Sequence, residues 1–368
     1  MNNPVKGEIE VKLEKIQTLL DDRGLDALLI QQVSNFAWLT GGARSYVNAA
    51  DSLGVASLLV TPQGRYLITN NIEAPRLREE EHLEEQGWEF KISPWYQVID
   101  WVEQLTRGLR VGMDGFYPDR EDLSEDLILL RMTLSPEEQD RIKQVSQGCA
   151  EAMNAAIHLV QPDLSEFQIA AILGREMQQR GILPIVNLIA TDQRIYSYRH
   201  PLPTSKRLDR YAMLVACGRK YGLVCSITRL VYFGHMPDDL KRKASEVAQI
   251  DAVFHTTTRP GRSLGDVFQA AQDKYAELGY SDEWKLHHQG GPAGYNPREV
   301  IATMDSDLVV TEGQAYAWNP SITGTKSEDT ILVESDGVEV LTEISDWPML
   351  PIELNGQTIF RPATLEIT

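Results

Sequence analysis

The chain has 368 residues, 42% of them apolar and 24% charged, which predicts about two soluble domains with ample cores. Thirty-five Lys and Arg against 53 Asp and Glu leave a formal charge of −18. That balance argues against a phosphate-binding face for nucleic acid and against docking on anionic lipid. No apolar run approaches the ~20 residues that span a bilayer. The start, Met1-Asn2-Asn3-Pro4, lacks the pattern of a secretory leader, and three sparse cysteines (Cys149, Cys217, Cys225) read as reduced thiols. A cytoplasmic protein is the expectation.

In chain order, Val11, Leu13, Ile16, Leu19 and Leu20 recur at helical spacing, and Gly24 closes that helix. Leu25–Ile30, Gly54–Val60, Tyr66–Thr69 and Leu109–Met113 read as strands, and the charged stretch Arg76–Glu85 reads as a solvated helix. Alternating helices and strands predict an α/β domain over 1–132. Ser135-Pro136-Glu137-Glu138 is a strong helix start, with Ser as N-cap, Pro at the first position and Glu reaching back. That helix is expected to run to about Leu159.

An internal repeat follows at an offset of 263 − 165 = 98 residues. Pro162, Ser165 and Gly181 align with Pro260, Ser263 and Gly279, so each copy carries a Pro turn, a Ser N-cap, a helix of about four turns and a Gly C-cap. Helices at Glu151–Leu159 and Asp239–Thr257 precede the two copies. The repeat predicts a duplicated α+β domain over 133–345, with strands curved around a central cleft. Tyr211–Cys217 and Leu223–Tyr232 read as a hairpin around Gly218–Gly222. That turn sets Ala216 opposite Ser226 on one face and Cys217 opposite Cys225 on the other. Residues 346–368, with Pro348, Pro351 and Pro362, read as a tail wrapped on the surface.

Several motifs fall in a familiar order. They are Gly24–Ile30 followed by Ser34–Gly41, then Ile227-Thr228-Arg229, His288-Gln289-Gly290-Gly291, and Ser327-Glu328-Asp329. Together they resemble the family of methionine aminopeptidase, prolidase, aminopeptidase P and creatinase. The resemblance implies a creatinase/prolidase-type N-terminal domain and a duplicated pita-bread C-terminal domain. Family peptidases hold two metal ions with two Asp, one His and two Glu, which activate a water and polarise the scissile carbonyl. Read onto this sequence, those positions are Ala216, Ser226, His288, Asn319 and Glu328, so only His288 and Glu328 are retained. Two ligands cannot hold two mutually repelling divalent ions, and no metal or other cofactor is expected. A single zinc on His287, His288 and Glu328 is disfavoured, because adjacent side chains on a strand point to opposite faces.

Creatinase works on the same fold without metal, using a His as general acid and base. His200 matches that His, and imidazole chemistry suits it for the role. Arg298 matches an Arg that grips the substrate carboxylate; pairing with Glu299 or Asp305 is the structural alternative. Arg199 is a second candidate grip. Tyr295 stands seven residues after His288 and offers a phenol to an oxyanion. Arg229 is expected in an ion pair beneath the cleft floor. Catalytic roles are therefore expected for His200, His288 and Glu328, with Glu328 orienting water or His288. Substrate contacts are expected from Arg298, Arg199, Tyr295, Asn319 and Ser226, with Ser226 as a nucleophile in one variant. The expected function is metal-independent hydrolysis of a C–N bond in a small amide or guanidino substrate. The alternatives are a metal-dependent Xaa-Pro peptidase with an unusual site and a non-catalytic small-ligand binder. The resemblance also implies a homodimer, with Trp38 and Tyr46 as candidates to cover a partner's cleft.

Overall fold

A computed structural model describes residues 4–116, 119–354 and 356–368. Met1–Asn3, on which the reading of the leader rests, lie outside the described residues. The chain divides into two compact units, Met1–Glu138 with Tyr221–Leu223, and Gln139–Lys220 with Val224–Thr368.

The first unit runs α1 (Pro4–Arg23), β1 (Ala27–Gln32), α2 (Val33–Leu39), β2 (Leu53–Thr61), β3 (Gly64–Asn70), α3 (Ala74–Glu79), β4 (Glu89–Ser93), α4 (Trp101–Leu105), β5 (Val111–Met113), β6 (Glu121–Asp122) and α5 (Ser124–Met132). Its six strands form one mixed sheet in the order β4-β3-β2-β1-β5-β6. The run Ala27–Ile30 is apolar throughout because β1 is an interior strand buried on both faces. The charged stretch expected as a helix to Glu85 is helical only to Glu79. Glu79, Glu80 and Glu81 would place three negative charges at a helix C-terminus, where the dipole opposes them. Glu81 instead pairs with Arg44 and Arg76.

The second unit contains α6 (Pro136–Ile157), α7 (Glu166–Gln179), β7 (Leu183–Thr191), α8 (Gln193–Ser197), β8 (Tyr211–Lys220), β9 (Leu223–Phe233), α9 (Asp238–Thr257), α10 (Leu264–Glu277), β10 (Gly290–Ala293), β11 (Ala315–Trp318), β12 (Ser321–Ile322), β13 (Thr325–Lys326), β14 (Asp329–Val333), β15 (Val338–Val340), β16 (Met349–Leu354), β17 (Gln357–Pro362) and β18 (Leu365–Ile367). The few N-terminal residues of α6 and the tip of the β8–β9 hairpin group with the first unit.

The N-caps form as expected. Ser135 and Glu138 exchange bonds at the start of α6, the Ser165 hydroxyl accepts from the Gln168 amide, and the Ser263 hydroxyl accepts from the Asp266 amide. Each half then pairs two helices with a four-stranded sheet. The sheet β18-β9-β8-β7 packs on α6 and α7 through Cys149, Met153, Ile169, Leu173, Leu214 and Ile227. The sheet β10-β11-β14-β15 packs on α9 and α10 through Ile250, Phe254, Phe268, Tyr316 and Trp318.

Two expectations change here. The β8–β9 hairpin turns on two residues, Tyr221 (φ 55°) and Gly222 (φ 75°), where the sequence reading used five. Positive φ at both positions matches the twist of paired strands. The shorter turn shifts the register by one residue, so Cys217 meets Ser226, with Sγ and Oγ 3.2 Å apart. Ala216 and Cys225 face the α6–α7 core instead. The segment after 346 is not a surface wrap. β16 and β17 form a hairpin whose Ile352 packs on Ala248 and Ala252, and β18 extends the main sheet in parallel beside β9. Arg361, 1% exposed, pairs with Asp251 and Asp329 in the interior.

Candidate active site

The second unit holds a cavity of about 440 Å³ lined by Val186 and Leu188 of β7, Val215 and Cys217 of β8, and His200, His288, Pro297, Arg298, Asn319, Lys326 and Glu328. Alternation along a strand puts Val215 and Cys217 on this face and Ala216 on the other. The first family metal position, read onto Ala216, therefore lies in the core, and the cleft-facing neighbours offer a valine and a thiol. Burial pushes the Cys217 thiol up to about 11. Glycines bring the histidine segment in close. Gly290 has φ 106°, and a Cβ there would lie 2.1 Å from the Ala317 carbonyl oxygen across the β10–β11 pair.

Glu328 sits between β13 and β14, 2% exposed, and both of its oxygens are taken. Oε1 accepts from Arg298 Nη2 at 2.9 Å, and Oε2 accepts from Lys326 Nζ at 2.8 Å and Thr228 Oγ1 at 2.5 Å. Burial opposes its ionisation, but Lys326 and Arg298 prevail and hold its carboxyl down at about 2. Arg298 also donates to Ser226 Oγ at 3.0 Å, while its Nε is buried without a partner, as is Oδ1 of Asn319. Glu328 is thus a clamp for two cations and is not free to orient water. The Ser226 hydroxyl is held by Arg298 and Cys217 rather than by an imidazole, so nothing activates it as a nucleophile.

Three imidazoles meet at one end of the cavity. His200 Nε2 and His287 Nε2 are 2.9 Å apart, and the His287 and His288 rings stack with centroids 4.4 Å apart. The expectation that adjacent histidines diverge fails because 287 and 288 precede β10 and are not part of a strand. His288 lines the cavity, and His287 lies behind it, buried. Burial, reinforced by Lys326, lowers His200 and takes His287 to about 2; burial and Arg298 take His288 to about 4. All three are neutral at neutral pH.

The remaining candidates are placed elsewhere. Arg199 Nη2 is tied to Glu283 at 2.5 Å and Thr323 at 3.0 Å, beside a small adjoining crevice and outside the lining of the cavity. Tyr295 is buried outside the cavity lining, in a turn where Glu299 accepts from its amide. Glu299 is occupied there, so Arg298 pairs with Glu328 rather than Glu299 or Asp305. Arg229 pairs with Asp329 at 2.8 Å, buried under the floor. Trp38 is buried in the first unit with Lys12 Nζ 5.7 Å from its ring centroid, and has no surface with which to cover anything. Sequence reading missed Lys326 and Cys217. Lys326 had a usable signal, since it lies two residues before Glu328 and period two puts both on one face.

Models of two families match this chain: the creatinase/prolidase N-terminal domain over residues 12–119 and metallopeptidase family M24 over residues 140–335. The chain belongs to metallopeptidase family M24. An Xaa-Pro dipeptidase of Pyrococcus horikoshii is 24% identical over 353 residues, covering 90% of this chain and 97% of that one. Among solved structures, the prolidase of the same organism has a TM-score of 0.79 at 21% identity, covering 91% and 98% of the two chains. An Xaa-Pro dipeptidase from Bacillus anthracis has a TM-score of 0.78 at 20% identity, covering 98% and 100%. The fold is the pita-bread fold with a creatinase-type N-terminal domain, and M24 is a family of peptidases, hydrolases of the peptide C–N bond. The M24 pair of metal ions does not fit the residues present. Ser226 and Glu328 are bridged by a guanidinium, the second oxygen of Glu328 holds an ammonium, and β8 offers no carboxylate.

Proposed function

We propose that this chain hydrolyses a C–N bond in a small carboxylate-bearing amide, Xaa-Pro dipeptides included, without metal. The observation that carries the reading is the substitution of charge. Where the family resemblance implies two cations of metal, Arg298 and Lys326 are clamped on Glu328 beside a pair of neutral imidazoles. Two cations against one carboxylate leave the cavity net positive. This favours an anionic substrate and disfavours a guanidino one, which narrows the amide-or-guanidino expectation to amides.

His200 takes a proton from the attacking water and returns it to the leaving amine. Arg298 and Lys326 stabilise the oxyanion or hold the carboxylate, and a planar guanidinium suits the latter. His288 and Asn319 line the same wall and orient the amide. Val186, Leu188, Val215 and Pro297 supply an apolar side for a prolyl or aliphatic group. The names of the relatives support Xaa-Pro substrates.

The test is turnover of Xaa-Pro dipeptides, N-acyl amino acids and neutral amides by chelator-treated protein, with His200→Ala alongside. Hydrolysis of the anionic substrates that survives chelation and is lost in His200→Ala supports the proposal. Turnover that appears only with added metal replaces it with a metal-dependent Xaa-Pro peptidase, and tight ligand binding with no turnover replaces it with a binding protein. The homodimer is also proposed; sedimentation equilibrium showing a monomer at micromolar concentration overturns it. No helix among the described residues is long and apolar enough to cross a membrane.

A further inference from the structure

Two Nε2 atoms 2.9 Å apart, as in His200 and His287, cannot both present lone pairs. One proton must lie between them, or another cation must replace it. His288 adds a third imidazole, and one donor atom from each ring falls within 4.8 Å of the others. Tetrahedral zinc at ~2.0–2.1 Å from nitrogen needs donor atoms about 3.3 Å apart. The 2.9 Å pair must open by about 0.4 Å and the widest pair close by up to about 1.5 Å, and His200 stands on an exposed segment between α8 and β8 that can supply the movement. Buried His287 and half-buried His288 are already stacked side by side.

We propose that His200, His287 and His288 form a mononuclear site for a borderline divalent transition ion such as zinc or cobalt. Three neutral nitrogen donors select such an ion over magnesium or calcium, which take oxygen. The site differs from the family pair in its donors. His287 and His200 have no place in the family set, whereas Ser226, Asn319 and Glu328 have no place in this one. The charges of Lys326 and Arg298 oppose a cation here, but both are paired with Glu328, which offsets them in part. The site rests on the geometry of the rings, independently of the proposed reaction. An ion there ties up the His200 imidazole that the reaction uses as a base, so zinc inhibits metal-free turnover.

The test is titration of the full chain with cobalt(II), read by its visible ligand-field bands, and with zinc by calorimetry. The expected result is a single ion per chain with an intense tetrahedral-type spectrum. His287→Ala and, separately, His200→Ala should each weaken binding by more than about 100-fold, beyond the 10–100-fold that losing a residue which merely orients a ligand costs. His200 is exposed, so its variant remains folded if His287→Ala does not; circular dichroism distinguishes the two. Absence of binding at millimolar ion overturns the proposal, as does binding that persists in both variants. Activation by zinc with binding lost in the variants would leave this site standing and overturn the metal-free reaction.

Discussion

Replacing Glu328 by Gln keeps the shape of the side chain and removes the charge that holds Arg298 and Lys326. Two lines of reasoning give the size of the effect. The carboxyl is held at about 2 against an ordinary 4.5, which at 1.36 kcal/mol per tenfold change corresponds to about 3 kcal/mol in favour of the ionised, clamped form. Independently, removing one member of a buried ion pair costs roughly 3–5 kcal/mol, because the partner charge stays buried. Arg298 and Lys326 side chains are only 8% and 6% exposed, so water cannot rescue them. Urea unfolding of Glu328→Gln at pH 7 should therefore show a loss of about 3–4 kcal/mol. Adding Lys326→Met should restore part of it, with a coupling of about 1–2 kcal/mol in the double-mutant cycle. The sign with pH follows from the depressed carboxyl. The advantage of the natural chain is complete above pH 4.5 and disappears as pH falls through about 2. A loss below about 1 kcal/mol, or no coupling, would refute the account of Glu328 as a clamp.

Arg361→Met should cost roughly 3–5 kcal/mol by leaving Asp251 and Asp329 short of a counter-charge, and a calorimetric midpoint unchanged within error would contradict it. Ser165→Ala and Ser263→Ala should each cost about 1 kcal/mol and add in the double mutant, since each caps its own helix. Because burial and Lys326 lower His200, its basic form persists on acidification, so kcat/KM should keep its plateau below pH 6.5 before falling. A fall centred at or above 6.5 would remove His200 as the base.

The duplicated halves were legible because their signals are local. A Ser cap, a Pro turn and a closing Gly recur at fixed distance and need no tertiary information. The site was harder. A one-residue shift in the register of one hairpin set Cys217 in the cleft opposite Ser226 and Ala216 in the core, and composition cannot set a register. Tyr295 was expected at the site from the family resemblance and Arg199 as a second anion grip, but Glu283 and the turn at Glu299 hold them elsewhere. Glu328 was found, yet its role was not. Whether a carboxylate is a base or a clamp depends on what reaches it from 30 residues and from two residues away.

The position of Arg361 bears on the order in which the molecule is made. Asp251 and Asp329 are buried beside the floor of the cleft, and part of their neutralising charge comes from a residue synthesised 32 positions after the second of them. β18 then supplies a strand beside β9, pairing Leu365 with Val231 across 134 residues of chain. A nascent chain halted before Arg361 would carry two interior carboxylates partly uncompensated and a main sheet with a bare edge. Chains ending before Arg361 should therefore be markedly less stable than the full chain, their interior charge unbalanced and one sheet edge unpaired.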